Sequence, residues 1–194
     1  MSQIKLLHSG GNGVSIVAPD SNPASDRTLK LPSDGDGTIL TTNSSVGKIL
    51  QVVSTTKTDS ASTTTSGSWT DISGLSVAIT PSATSNKIFI IVTIGSVSSS
   101  SGISVGFKLL RDSTAVGNAT STTKQSGIGN AYAGMEYYLQ TIATNFLDSP
   151  NTTSATTYKV QWRNSSGTSY LGQFDGNATE YNSSSTITVM EVAA

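Results

Sequence analysis

The chain has 194 residues, a formal net charge of −1, no Cys and a single His. A chain of this length can bury a sizeable core without staples, and the lack of Cys excludes disulfides, thiolate metal sites and Cys nucleophiles. Charged residues are 12% of the chain, about half the usual share, which argues against the basic surface that nucleic-acid binding needs.

From the N-terminus, Met1-Ser2-Gln3-Ile4-Lys5 lacks the apolar core of a secretory signal. Ile4 and Leu6 precede Gly10-Gly11-Asn12-Gly13, and Val14 and Ile16 follow. That pattern predicts a short hairpin around a Gly/Asn turn. Residues 19–23 read as a Pro-bounded loop. Leu29 and Leu31 alternate up to Pro32, and Ser33-Asp34-Gly35-Asp36-Gly37 predicts a turn before Thr38-Ile39-Leu40. Strands this short and sparsely apolar build no core of their own. Residues 1–45 are therefore expected to form an attachment or oligomerisation segment, packed against copies of itself or a host particle. Residues 41–47 would be the linker.

Residues 46–194 read as a second domain. Leu75, Val77 and Ile79 alternate with small polar residues up to Pro81. Ile103, Val105, Phe107 and Leu109 repeat the pattern, as do Tyr158, Val160 and Trp162. Period two is the signature of a half-buried strand. The run at 88–94 is apolar on both faces, so it is expected as a central strand covered on both sides. Ser, Thr, Gly and Asn clusters at 60–68, 96–102 and 164–168 read as loops. Residues 131–146 are the best helical candidate, yet they lack a clean 3.6-residue stripe and are rich in aromatics, so a β reading is preferred. No apolar run reaches the roughly 18 residues of a membrane-spanning helix, and no membrane insertion is expected. Ser and Thr make up roughly a third of the residues, far above ordinary usage. Thr suits a pleated sheet because its branched Cβ packs well there. These signals predict an all-β fold, a sandwich or jelly roll.

Little catalytic chemistry is on offer. His8 has no acidic neighbour in sequence and reads as a polar residue on a short strand, since triads and imidazole metal sites need more. Asp34-Gly35-Asp36-Gly37 superficially resembles a calcium loop, but the twelfth position is Ser45 rather than Glu. The glycine cluster at 10–13 lacks the Lys-Ser or Lys-Thr pair of a phosphate loop. The carboxylates Asp71, Asp112, Glu136, Asp148, Asp175, Glu180 and Glu191 could in principle supply a glycosidase pair. Long aromatic-rich clefts are usual for such enzymes, and aromatics here are 6%. A non-enzymatic protein without cofactor or metal is expected. The Asn-x-Ser/Thr sequons at Asn43, Asn118, Asn151, Asn164, Asn177 and Asn182 are treated as loop asparagines. Tyr170, Phe174 and Tyr181, in the Gly/Asn-rich stretch 164–184, are the candidates for receptor or sugar contact, because Tyr offers area and a hydroxyl at little rotamer cost. Tyr137, Tyr138 and Tyr158 read instead as core or interface.

The segment Thr28-Leu29-Lys30-Leu31-Pro32-Ser33-Asp34-Gly35-Asp36-Gly37-Thr38-Ile39-Leu40 resembles a short β element of tailed-phage fibre proteins. Gly47-Lys48-Ile49-Leu50-Gln51-Val52-Val53 follows it. Further on, Ser68-Trp69-Thr70-Asp71-Ile72, Asn86-Lys87-Ile88, Phe107-Lys108-Leu109-Leu110-Arg111-Asp112, Phe146-Leu147-Asp148-Ser149-Pro150, Thr157-Tyr158-Lys159-Val160 and Ser185-Thr186-Ile187-Thr188-Val189-Met190-Glu191 are similar, in this order, to the C-terminal domains of fibre-like proteins of marine and freshwater phages. The resemblance implies a virion protein, a homotrimer, and a head similar to the jelly roll of C1q and tumour-necrosis-factor proteins. It also implies that the strand at 48–54 neighbours the strand at 185–193 on the sheet nearest a three-fold axis. Glu191 lies among Ile187, Val189 and Val192 on that last strand. If the strand is internal, a buried charge needs a partner, and Lys48 is the candidate for a trimer-interface pair. If the strand is an edge, Glu191 is simply exposed. On the internal reading, Glu191→Ala lowers trimer stability.

The function expected from all this is a virion-located tail fibre or fibre tip, attached by residues 1–45 and touching host surface polysaccharide or an outer-membrane receptor with its head. The alternatives are a head decoration or cement protein, a small polysaccharide-degrading enzyme and a cellular carbohydrate-binding module.

Overall fold

A computed structural model describes residues 3–7, 9–11, 13–17, 49–100, 102–121, 125–135, 138–174 and 182–194. The chain divides into two units, Met1–Ser44 and Ser45–Ala194. In the first unit, β1 (Gln3–Leu7) and β2 (Gly13–Val17) pair antiparallel, with Ile4 opposite Ile16 and Leu6 opposite Val14. This is the hairpin that the Gly/Asn turn predicts, and Gly11 adopts φ 92° within it, a conformation that costs glycine nothing. His8, the strands expected at 28–31 and 38–40, the turn at 33–37 and the linker at 41–47 lie outside the described residues.

The second unit is all β among its described residues. Its principal strands are β3 (Ile49–Lys57), β5 (Thr70–Ile79), β6 (Lys87–Ser99), β7 (Ile103–Arg111), β9 (Gly129–Ala133), β10 (Gln140–Asp148), β11 (Thr156–Asn164) and β13 (Ser185–Val192). Short strands β4 (Ala61–Thr63), β8 (Thr114–Ala115) and β12 (Ser169–Leu171) extend the edges. One sheet runs β3-β13-β6-β10, with β12 and β4 continuing from the far end of β6. The other runs β5-β11-β7-β9. Every pairing between these strands is antiparallel, and the chain crosses repeatedly from one sheet to the other. The result is a jelly-roll sandwich.

The alternation read from the sequence is the packing of this sandwich. Leu75, Val77, Ile79, Phe107, Leu109, Tyr158, Val160 and Trp162 all enter one core, facing Ile88, Ile90, Val92, Ile94, Ile187 and Val189 from the opposite sheet. Burial of aliphatic and aromatic side chains at about 25 cal/mol per Å² is what holds the sheets together. The described residues of 131–146 form no helix. They contain the end of β9 and most of β10, as their aromatics favour.

Three expectations need correction. The run at 88–94 is central in its sheet, but only one of its faces is covered. Ile88, Ile90, Val92 and Ile94 are buried, whereas Phe89, Ile91 and Thr93 are half-buried and look outward, with no second layer among the described residues. Strand β6 also continues through Ser99, into what reads as a loop, because Ser98 and Ser99 pair with Tyr170 and Ser169 of β12. The loop expected at 60–68 likewise holds β4. Serines satisfy ladder hydrogen bonds as well as any residue, so composition hid these strand ends.

Candidate functional site

Alternation along β3, β13, β6 and β10 sends every second side chain away from the core. Register then assembles those side chains into rows. Val52, Met190, Phe89 and Leu147 form one row across four strands. Ser54, Thr188, Ile91 and Asn145 form the next, and Thr56, Thr186, Thr93 and Ala143 the third. Val52 is 56% exposed and Leu147 53%. Ile49 and Leu50 extend the apolar end along β3 and are also exposed. None of the residues in these three rows carries a charge. Isolated exposed apolar residues are ordinary, whereas a contiguous exposed row is the kind of patch that interaction surfaces carry.

The inward row directly beside the apolar one carries polar side chains at all but one position. It runs Gln51, Glu191, Ile88, Asp148. Glu191 is 1% exposed. Its Oε1 accepts from the Ser82 amide at 2.6 Å, the Ser82 hydroxyl at 2.8 Å and Asn86 Nδ2 at 2.6 Å, while Oε2 accepts from Gln51 Nε2 at 2.6 Å. Burial alone would raise its pKa, but the bonds from Asn86, Gln51 and Ser82 outweigh it and hold the carboxyl at about 2. Gln51 in turn donates to the Thr80 carbonyl at 2.8 Å. Pro81 ends the preceding strand, and the loop behind it turns the Ser82 amide and Asn86 onto the carboxylate.

Asp148, at the other end of the row, is also buried. Arg111 Nη1 donates to both its oxygens, at 2.9 and 2.7 Å, and the Tyr158 hydroxyl donates at 2.7 Å. Burial, followed by the Asp148 bond, pushes the Tyr158 phenol well above its ordinary value, so it remains a donor. Arg111 and Tyr158 belong to the opposite sheet. The two carboxylates thus tie the end of the sheet that carries the apolar row to the loop 80–86 and to β7 and β11. Both are fully engaged by donors, and neither faces the other across a cleft. Among the described residues, no group of three or more His, Asp or Glu could hold a metal ion.

The residues singled out from sequence fall as follows. Glu191 lies on an internal strand, between β3 and β6, and not on an edge. Its donors are neutral groups of its own chain. Lys48 lies outside the described residues. The neighbouring of 48–54 and 185–193 implied by the resemblance is present, among the described residues, as the pairing of β3 with β13. Tyr170 is half-buried on β12, opposite Ser62 and Ser98. Phe174 is 38% exposed, and its carbonyl accepts from the Ser98 hydroxyl. Tyr181 lies outside the described residues. The structure brings Tyr170 and Phe174 close to the same end of β6, away from the apolar row. Sequence reading missed Gln51, Ser82 and Asn86, which look like ordinary strand and loop polars until register places them on Glu191.

No family model matches the chain, and no curated protein does. Among solved structures, the infectious bursal disease virus Gx strain aligns with a TM-score of 0.39 and 16% identity, over 93% of this chain and 51% of that one. The Gt strain of the same virus aligns at 0.40 and 15%, over 94% and 50%. The chain spans about half the length of these structures. Alignments of this quality assign neither family nor function.

Proposed function

We propose that the chain is a non-enzymatic structural protein of a virion, a homotrimeric tail fibre or fibre tip of a tailed bacteriophage. Residues 1–45 attach it to other virion proteins, and the head meets the host surface. The observation that carries this reading is the uncharged apolar row Val52–Met190–Phe89–Leu147 on the open face of the β3-β13-β6-β10 sheet. The occupant that fits it is two further copies of the same chain. Rows without charge let identical surfaces meet there without like-charge repulsion, and a closed ring covers the apolar row on every copy. The inward Glu191 and Asp148 networks hold the backbone beneath the row in one geometry, which limits the ordering cost of association. The ordered likeness of the chain to phage fibre-like proteins supports the virion setting. Three modest contact sites on one rigid head gain avidity without any strong single site.

Two measurements test this. Sedimentation of the full chain is expected to give the mass of three copies, and a monomer at micromolar concentration would remove the trimer. Antibody labelling of intact particles is expected on the tail; labelling confined to the capsid would turn the reading to a head decoration protein.

A further inference from the structure

The opposite sheet, β5-β11-β7-β9, also has an outward face, and it is built differently. At one end lies a cleft of about 670 Å³, walled by Trp69 and Arg163, with Ser104, Gln125 and Asn130 around it. Gly106 forms part of the floor. A Cβ there would come 3.2 Å from Trp69 Cη2, so glycine is what lets the indole lie close over β7. Gly129 is tight as well, since a Cβ would fall 2.7 Å from Ile142 Cγ2.

The electrostatics of the cleft are one-sided. Among the described residues, no carboxylate lines it. Lys108 sits 4.3 Å from the centre of the Trp69 ring. Asp71, an acid on this face, is already held by Lys159 at 2.8 Å and Gln161 at 2.7 Å. Among the described residues, Arg163 is in no such pair. Its Nε is buried without an acceptor among the described residues. A buried donor left unsatisfied is unfavourable until an acceptor arrives. Arg163 thus lines the cleft, and Lys108 stands beside it on the Trp69 ring.

We propose that this cleft binds acidic polysaccharide, with a uronate carboxylate on Arg163 and the sugar ring against Trp69. The guanidinium is a planar fork that matches a carboxylate. The indole supplies apolar area for the C–H face of a pyranose. Asn130 and Gln125 offer both donors and acceptors to ring hydroxyls. The proposal deepens the host-contact part of the function above, which supplies the source of the ligand, and it moves the contact from Tyr170 and Phe174 to the other sheet.

The test uses the full chain and polygalacturonate or alginate, with methyl-esterified polygalacturonate, dextran and a single-stranded oligonucleotide alongside. Binding is read by isothermal titration. The acidic polysaccharides are expected to bind, and methyl esterification, which removes the charge and leaves the sugar, to weaken binding about tenfold or more. Arg163→Met and Trp69→Ala are expected to do the same, and Asn130→Ala, at an exposed position that the fold does not need, to weaken it to a lesser extent. Failure of both polyuronates to bind, equal binding of the ester, unchanged binding by Arg163→Met with a native circular dichroism spectrum, or preference for the oligonucleotide would each overturn the proposal. None of these results touches the trimer or the tail location, which sedimentation and labelling decide separately.

Discussion

Glu191 is a buried carboxylate with no Lys or Arg in ion-pair contact among the described residues. Neutral donors stabilise it instead, and that has a consequence for pH. Its pKa is lowered from 4.5 to about 2, so its stabilising effect is complete above pH 4.5 and is lost as pH falls through the folded value near 2. The shift corresponds to something on the order of 3 kcal/mol. The melting temperature of the wild type is therefore expected to drop between about pH 5 and about pH 2, and more steeply than that of Glu191→Gln. Calorimetry across that range checks it; parallel curves would refute the assignment. At neutral pH, Glu191→Gln is expected to melt about 5–10 °C lower, because an amide cannot accept from all four donors and adds two of its own. The Asp148 site predicts an ordered pair of effects. Tyr158→Phe removes one donor and costs about 1 kcal/mol. Arg111→Met leaves a buried carboxylate without its cation and costs about 3 kcal/mol. Urea titration of both variants checks the order.

At the scale of elements, the two outward faces differ because of what alternation delivers to each. On β3, β13, β6 and β10 it delivers Val52, Met190, Phe89 and Leu147; on β5, β11 and β7 it delivers Asp71, Lys159, Gln161, Arg163 and Lys108. Leu147→Lys is the cleanest probe of the first face, because its side chain is half exposed and a charge there leaves the core alone. The variant is expected to sediment as a monomer with a head that is still folded. A Leu147→Lys trimer would show that the copies meet elsewhere. The strands themselves were legible in the sequence, since Leu75-Val77-Ile79 and Tyr158-Val160-Trp162 declare their period locally. The serine-rich ends at 98–99 and 61–63 were not, since Ser carries no apolar signal and joins a ladder only through its backbone. Residues 88–94 misled in another way. An apolar run says that both faces are apolar, not that both are covered within one chain.

At the scale of the molecule, the buried core of the head, among the described residues, runs from Ile72 to Val189, with Val53 and Ala61 packed against it. A protein lacking residues 1–44 is thus expected to unfold cooperatively, with a melting temperature within about 3 °C of that of the full chain's head. Thermal circular dichroism of the truncated protein checks this; loss of a cooperative transition would show that the first unit is needed for folding. By itself the sequence determined the all-β class, the hairpin at the N-terminus and most of the core, because period two is a local property that each segment displays unaided. Only the tertiary structure decided the full order of strands in the two sheets, that Glu191 lies inside with neutral partners, and that Trp69 and Arg163 share a cleft. Gln51 and Glu191 are 140 residues apart and meet at 2.6 Å. Contacts of that kind depend on sheet order and register, and nothing within either segment encodes the identity of the strand it will lie beside.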